Sequence, residues 1–158
     1  MGSPPDISPF SRRTFIAGAL AVTPPSLVLA QTLSDGTMTR IECTFDKHRF
    51  TASLYDNPSA RDLLSMLPLE LTIEDYSTNE KIARLPRKLT EEGGGSFGNE
   101  APGDLCYYAP WGNLAFFYAS YRYSQGLIRL GRLDSGFLPL LTRGKFPLRI
   151  NALTGKGR

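Results

Sequence analysis

The stretch GDLCYYAPWGNLAFFY (residues 103–118) indicates two consecutive β-strands joined by a tight corner. Apolar residues dominate on both sides of the turn at residues 109–113, as is typical of strands that are buried on both faces. Within the turn, Pro110 fixes its own backbone torsion, and Gly112 permits conformations that other residues avoid. We therefore expect a rigid corner from which Trp111 projects.

The strand after the corner is apolar on both of its faces. Successive side chains of a strand point to opposite faces, so Leu114, Phe116 and Tyr118 face one side. Ala115 and Phe117 face the other side. One apolar face predicts the filling of a barrel, and the second face must then be covered by a helix, a loop or a ligand.

Aromatic residues are concentrated around this corner, since eight of the seventeen in the chain lie within residues 107–123. One interpretation is core packing together with a turn. The other is a shallow aromatic pocket formed by Trp111 and Phe117 with Tyr121 and Tyr123. Such a pocket suits an extended peptide or a flat apolar ligand.

Period-two apolar patterns recur along the chain, and one segment has a helical pattern. The segment NPSARDLLSMLP (residues 57–68) predicts a helix that is capped by Asn57 and has Pro58 in its first turn. A short helical turn is expected in SGFLPLL (residues 135–141). Six to eight short strands with little helix favour a closed or nearly closed barrel. The strand patterns lie at residues 37–57, 69–76, 82–85, 103–108, 113–121, 126–136 and 146–153.

The glycine-rich segment TEEGGGSFGNEAPGD (residues 90–104) predicts an irregular loop. A phosphate-binding loop would need a Lys-Ser or Lys-Thr pair and a helix after the glycines, and the sequence has neither. A plain connection and a mobile lid beside a pocket are the two remaining interpretations.

Charge and metal-ligand patterns narrow the classes of partner. The formal net charge of +3 is too small to argue for nucleic acid. From residue 127 onward there are seven basic residues and one acidic residue, which indicates either a solvated surface or an anion-binding face. His48 is the only histidine, and closely spaced ligand pairs are absent, so we expect no metal and no cofactor. Cys43 and Cys106 both lie in apolar strand patterns and form either a disulfide or two buried thiols.

The first thirty residues have the pattern of an export signal. SRRTFIA (residues 11–17) resembles the twin-arginine motif of bacterial signals, and small residues precede a cleavage point after Ala30. We expect a signal peptide over residues 1–30, a linker over residues 31–37, and a periplasmic or secreted domain. The apolar run is short and is interrupted by prolines, which argues against a permanent membrane span. A retained anchor or a chance match is the alternative.

Four stretches together, ARDLLSMLPLELTIEDY, NEKIARLP, GDLCYYAPWGNLAFFY and GLIRLGRLDSG, resemble the bacterial cyclophilin-like domain family. The resemblance implies a mainly β protein, with a cyclophilin-like closed eight-stranded β-barrel over residues 38–151, one covering helix and short helical turns. Residues 152–158 would then form a flexible basic tail.

The same resemblance implies two functions. True cyclophilins accelerate rotation about X-Pro bonds by means of an arginine beside the proline nitrogen and an apolar pocket for the ring. Here Phe117 is similar to the pocket phenylalanine, and Arg84 is the best candidate for the arginine. A Phe-His-Arg strand is absent, and Asn113 and Leu114 stand where a Ser-Gln pair is expected.

We therefore expect a non-catalytic module for a peptide or a small apolar ligand. The alternative is a peptidyl-prolyl cis-trans isomerase that acts on exported proteins. Members of the family also occur beside flavodoxin-like domains, which implies a flavodoxin-like redox partner.

Overall fold

The computed structural model describes residues 38–153, so the expected signal peptide and linker lie outside the described residues. The described chain forms eight β-strands, one α-helix and one 3₁₀ turn. The strands are β1 Arg40–Phe45, β2 His48–Leu54, β3 Leu69–Tyr76, β4 Glu80–Arg84, β5 Asp104–Tyr108, β6 Asn113–Phe117, β7 Leu127–Leu133 and β8 Lys145–Leu153; the helix α1 is Pro58–Ser65, and the turn is Leu138–Leu141.

The strands form one closed antiparallel barrel in the order β1-β2-β7-β5-β6-β4-β3-β8. The barrel closes because β8 pairs with β1 on one side and with β3 on the other. The predicted mainly β, closed eight-stranded barrel is therefore confirmed. β8 continues two residues past the expected start of the tail, because Ala152 and Leu153 still pair with Ile41 and Arg40.

One face of each strand fills the interior of the barrel. In β1, Ile41, Cys43 and Phe45 are buried and alternate with more exposed neighbours, as the period-two pattern predicts. Leu114 and Phe116 of β6 join the same cluster. Removing such apolar surface from water contributes about 25 cal/mol per Å², which makes this cluster the main source of stability.

Helix α1 covers part of the barrel and begins where the sequence predicts. Asn57 caps it by accepting a hydrogen bond from the backbone N–H of Ala60 at 2.9 Å. Leu63 is fully buried in the interior cluster, so the helix packs its apolar side onto the barrel. The resemblance implied several short helical turns, whereas residues 38–153 contain one, Leu138–Leu141, within the segment predicted for it.

Strand β4 places a charged side chain inside the barrel. Lys81 is fully buried, and its Nζ lies 2.8 Å from Oδ1 of Asp75. Ala83 belongs to the interior cluster as well. Because side chains alternate along a strand, Glu80 and Ile82 face outward. This orientation places both residues on the outer wall of the barrel, where the candidate site lies.

The two cysteines are free and buried. Cys43 belongs to the interior cluster, and Cys106 belongs to a second cluster with Ala115, Phe117 and Leu127. They lie on opposite faces of the barrel wall, so the structure contains two buried thiols rather than a disulfide.

The five basic residues between positions 127 and 153 are paired with carboxylates, which fits the interpretation as a solvated surface. In each case a guanidinium or ammonium nitrogen lies within 4 Å of a carboxylate oxygen, so neighbouring acids balance this face and weaken the case for an anion-binding site. The pairs among the described residues are Arg129–Asp104, Arg132–Asp104, Arg143–Asp75, Lys145–Glu74 and Arg149–Glu70.

Candidate functional site

The outward face of β6 lies against a second apolar cluster outside the barrel. Ala115 and Phe117 pack there with Cys106 and Leu127. The predicted alternation is confirmed, since Leu114 and Phe116 face the interior and Phe117 faces away from it. The sequence required this second face to be covered, and aromatic side chains from nearby loops cover part of it.

The corner between β5 and β6 is held by backbone hydrogen bonds. Gly112 has a φ of +67°, and its N–H donates to the carbonyl of Tyr108 at 2.9 Å. Its own carbonyl accepts from the N–H of Leu85 at 3.0 Å, which ties the corner to the end of β4. Trp111 therefore projects from a fixed position, as predicted, and its side chain packs edge-to-face against Tyr76 and Tyr108 with ring centroids 5.2 and 5.5 Å away.

A pocket of about 300 Å³ opens beside this corner on the outer wall. We refer to it as the Trp111 pocket. Its aromatic lining consists of Trp111 with Tyr76, Tyr108, Phe117 and Tyr121, and the rings of Phe117 and Tyr121 stack 3.6 Å apart. The remaining lining residues are Asn79, Glu80, Ile82, Asn113, Arg122, Ser124 and Leu127.

Three of the four residues predicted to form a pocket line this one: Trp111, Phe117 and Tyr121. Tyr123 instead packs edge-to-face on Phe97, with centroids 5.2 Å apart, and lines a neighbouring depression. Tyr121 also lines that depression, so the two tyrosines share it, and Tyr121 lines the Trp111 pocket as well.

Arg84 lies outside the Trp111 pocket. Its side chain is exposed, and its Nη1 donates to the carbonyl of Trp111 at 3.4 Å. It lines a separate groove between β3 and β8 together with Pro86 and Lys145. Arg84 faces outward from β4 as Glu80 and Ile82 do, but it does not line the pocket that contains Phe117.

Two polar side chains of the pocket, those of Glu80 and Asn113, were not predicted from the sequence as site residues. Burial raises the pKa of Glu80 to about 7, and no ion pair or hydrogen bond among the described residues involves its carboxylate. Asn113 Nδ2 donates to the Leu114 carbonyl at 3.0 Å, whereas its Oδ1 is buried without a partner.

The signal for these two residues was weak. Glu80 is the first residue of β4 and pairs with Phe117, a register that the sequence alone does not reveal. Asn113 faces the same side of β6 as Phe117 by simple alternation, so its position on the wall could have been read from the period-two pattern.

Tyr121 is positioned by a buried carboxylate. Its hydroxyl donates to Oδ2 of Asp104 at 2.7 Å, and Arg132 donates to Oδ1 of Asp104 at 2.8 Å. Burial tends to raise the pKa of Asp104, but the hydrogen bonds from Tyr121, the Ala101 N–H and Arg132 outweigh it, and the pKa lies below its ordinary value. Burial and the bond to Asp104 raise the pKa of Tyr121, so this hydroxyl stays a neutral donor.

The apolar cluster around Phe117 contains a thiol, that of Cys106. Burial raises the pKa of Cys106 to about 12, so its thiol behind the wall is protonated and unreactive at neutral pH. Among residues 38–153, no group of three or more His, Cys, Asp or Glu side chains is arranged to hold a metal ion. No helix in this described part of the chain is long and apolar enough to cross a membrane.

The glycine-rich loop lies away from the Trp111 pocket. Arg129 donates to the carbonyls of Gly98 and Asn99 at 2.9 and 3.1 Å, and its guanidinium lies 4.5 Å from the ring centroid of Phe97. No residue of segment 90–104 lines the Trp111 pocket. In this structure the segment therefore connects β4 and β5 and does not act as a lid over that pocket.

Comparison with known proteins identifies one family. The model of the cyclophilin-like family matches residues 43–151. The solution structure of a hypothetical protein from Archaeoglobus fulgidus is similar in fold, with a TM-score of 0.59 and 16% identity over 73% of this chain and 95% of the other. None of the curated proteins compared with the chain is significantly similar to it in sequence.

Proposed function

The chain belongs to the cyclophilin-like family, and we propose that its barrel is a non-catalytic module that binds a small apolar ligand or a peptide side chain in the Trp111 pocket. The observation that carries this proposal is the indole of Trp111. It is 44% exposed, yet it is held at a hydrogen-bonded corner over a concave aromatic wall. Aromatic pockets with a few polar groups are typical ligand sites.

The size of the pocket favours a small occupant. A volume of about 300 Å³ is at the lower limit for small-molecule sites, so it fits one ring system or one side chain rather than a long peptide. Burying the exposed face of Trp111 against such a ring supplies both apolar area and an aromatic contact worth about 0.5–1.5 kcal/mol.

Isomerase activity is the second candidate, because Phe117 lines the pocket as the family resemblance implied. The arrangement of Arg84 argues against it, since its guanidinium bonds the Trp111 carbonyl and does not line the pocket. An isomerase needs a cation beside the proline nitrogen. The only basic residue among the described lining is Arg122, which is exposed.

We also propose that the domain acts outside the cytoplasm of a bacterium, on the basis of the twin-arginine pattern at residues 11–17. A flavodoxin-like redox partner stays a prediction from the family resemblance. Detection of the cleaved chain in a periplasmic fraction tests the first statement, and co-purification with a flavodoxin-like protein tests the second.

The binding proposal is tested by calorimetry and by the fluorescence of Trp111, which is the only tryptophan of the chain. A panel of flat apolar compounds and proline-containing peptides is titrated into the protein. We expect one class to shift the Trp111 emission. Replacement of Trp111 by alanine should weaken that binding about tenfold or more, since a buried aromatic anchor contributes about 2 kcal/mol or more.

The control variant is Leu138→Ala, which removes an apolar side chain that is 70% exposed on the 3₁₀ turn and should leave binding unchanged. A proline-isomerisation assay runs in parallel with Arg84→Ala. Acceleration that this variant abolishes would replace the binding proposal by the isomerase alternative. A panel without any binder would refute the proposed function.

A further inference from the structure

We propose that the Trp111 pocket selects an aryl-alkyl ammonium ion, whose charged nitrogen binds Glu80 and whose ring lies along the aromatic wall. This inference rests on the proposed function and replaces its apolar ligand by one with a charged end. It is carried by two features of the pocket: a carboxylate without an ion-pair partner among the described residues and a wall of aromatic rings.

The Glu80 carboxylate is the polar group of the pocket that is open to a ligand. It lines the pocket, is half-buried, and has no hydrogen-bond or ion-pair partner among the described residues. A cationic donor suits such a carboxylate, because a charge-assisted hydrogen bond replaces the water that the carboxylate loses on binding. An anion or a molecule with acceptors only would leave the carboxylate without a donor. The Asn113 Oδ1, by contrast, is too deeply buried to contact a bound molecule.

The aromatic wall adds a preference for positive charge. Tyr76 and Phe117 are the strand partners of Glu80, so aromatic rings lie on both sides of the carboxylate. The faces of aromatic rings attract organic cations, and the attraction is stronger where water is excluded. A carboxylate within an aromatic surround therefore favours an ammonium group over a neutral group of the same shape.

None of the charged and titratable groups around Glu80 forms an ion pair with its carboxylate among the described residues. Tyr76 faces it from β3, Cys106 and Tyr108 from β5, and Tyr121 and Arg122 from the segment after β6. Lys81, the next residue of β4, faces the interior and bonds Asp75. Arg122 is the one cation among these neighbours, and its side chain is exposed.

The protonation of Glu80 gives the inference a directional test. Burial raises the pKa of Glu80 to about 7, so the carboxylate becomes ionised as the pH rises through neutrality. A bound ammonium stabilises the ionised form and lowers this pKa. Affinity for an ammonium ligand should therefore rise between pH 6 and pH 8, whereas affinity for a neutral acceptor ligand should fall.

The experiment is calorimetric titration of the full chain with tyramine and with 4-hydroxyphenethyl alcohol, which differ only in the ammonium group. We expect tyramine to bind about tenfold more tightly at pH 8, because a charge-assisted hydrogen bond contributes about 1.5–3 kcal/mol. The preference should shrink at pH 6.

Glu80→Gln should abolish the preference for tyramine over the alcohol. The matched control is Glu74→Gln, which removes an outward carboxylate of β3 that pairs with Lys145 and does not line the pocket; it should keep the preference. Equal affinities for tyramine and the alcohol in the unmodified protein, or a preference that persists in Glu80→Gln, would overturn the inference and leave the binding proposal intact. Failure of every compound, including the apolar panel, would refute the proposed function itself.

Discussion

The buried carboxylate of Asp104 links Arg132 of the barrel to Tyr121 of the pocket. Its removal should destabilise the fold more than the removal of a carboxylate from an exposed ion pair. The carboxylate is fully buried and accepts from Tyr121, Arg132, Arg129 and the Ala101 N–H. Asp104→Asn leaves two guanidinium groups without their counterion. Breaking a buried ion pair typically costs about 3–5 kcal/mol. Since the Arg132 side chain is 46% exposed, we expect a value near the lower end, about 3 kcal/mol.

The assay is urea unfolding monitored by circular dichroism, with Glu70→Gln as the matched control. That variant breaks the Arg149–Glu70 pair, whose 2.7 Å separation is as short as that of Arg132–Asp104, but whose side chains are 60% and 76% exposed. It should cost less than about 1 kcal/mol. For a domain of this size, a loss of 3 kcal/mol corresponds to a fall in Tm of about 12 °C.

The pH dependence of this difference has a definite sign. The pKa of Asp104 is lowered in the folded protein, so its contribution is present above the unfolded pKa of about 3.9 and is lost as the pH falls through the folded value. The two proteins should therefore converge in stability in acid. If Asp104→Asn costs no more than Glu70→Gln at neutral pH, the reasoning that burial rather than distance sets the strength of these pairs is wrong.

Two further substitutions and one labelling experiment test the packing and the site. Glu80→Gln should raise the free energy of unfolding at pH 8 by about 1–2 kcal/mol and have little effect at pH 5. The reason is that the pKa of Glu80 is about 7 in the folded protein, so folding disfavours the ionised carboxylate. Equal effects at both pH values in urea melts would contradict this. Gly131→Ala should lower the free energy of unfolding by about 3 kcal/mol or prevent folding, since a Cβ there would lie 2.2 Å from the Ser53 carbonyl oxygen. An unchanged Tm would show that β2 and β7 separate easily. Cys43 and Cys106 should resist alkylation at pH 8 in the folded state and react at once in urea, because both thiols are buried and have raised pKa values. Mass spectrometry measures the labelling, and rapid labelling of the native protein would refute their burial.

The barrel could be predicted from sequence because its signals are local. The alternation of Ile41, Cys43 and Phe45 and the cap at Asn57 depend on neighbouring residues only, and both were confirmed. The two faces of β6 also followed from alternation, which separated Phe117 from Leu114 and Phe116; the structure then shows that the face with Phe117 points outward.

The polar half of the site could not be predicted because it depends on strand pairing. Glu80 meets Phe117 through the β4–β6 register, and no period-two pattern specifies which strands become neighbours in a closed barrel. Hydropathy alone would also place Ile82 inside and Lys81 outside, whereas the interior ion pair with Asp75 reverses that order. Arg84 was assigned to the site by family analogy, and its actual bond to the Trp111 carbonyl follows from the geometry of the corner.

Ligand placement on the outer wall is tested most directly by two-dimensional amide NMR during titration with tyramine. We predict that the indole N–H of Trp111 and the backbone amides of Glu80, Phe117 and Tyr121 shift together and saturate at one affinity, while the amides of Leu138 and Leu141 stay in place. Shifts that centre on the 3₁₀ turn or on the groove between β3 and β8, with Trp111 unmoved, would contradict a ligand site at the corner.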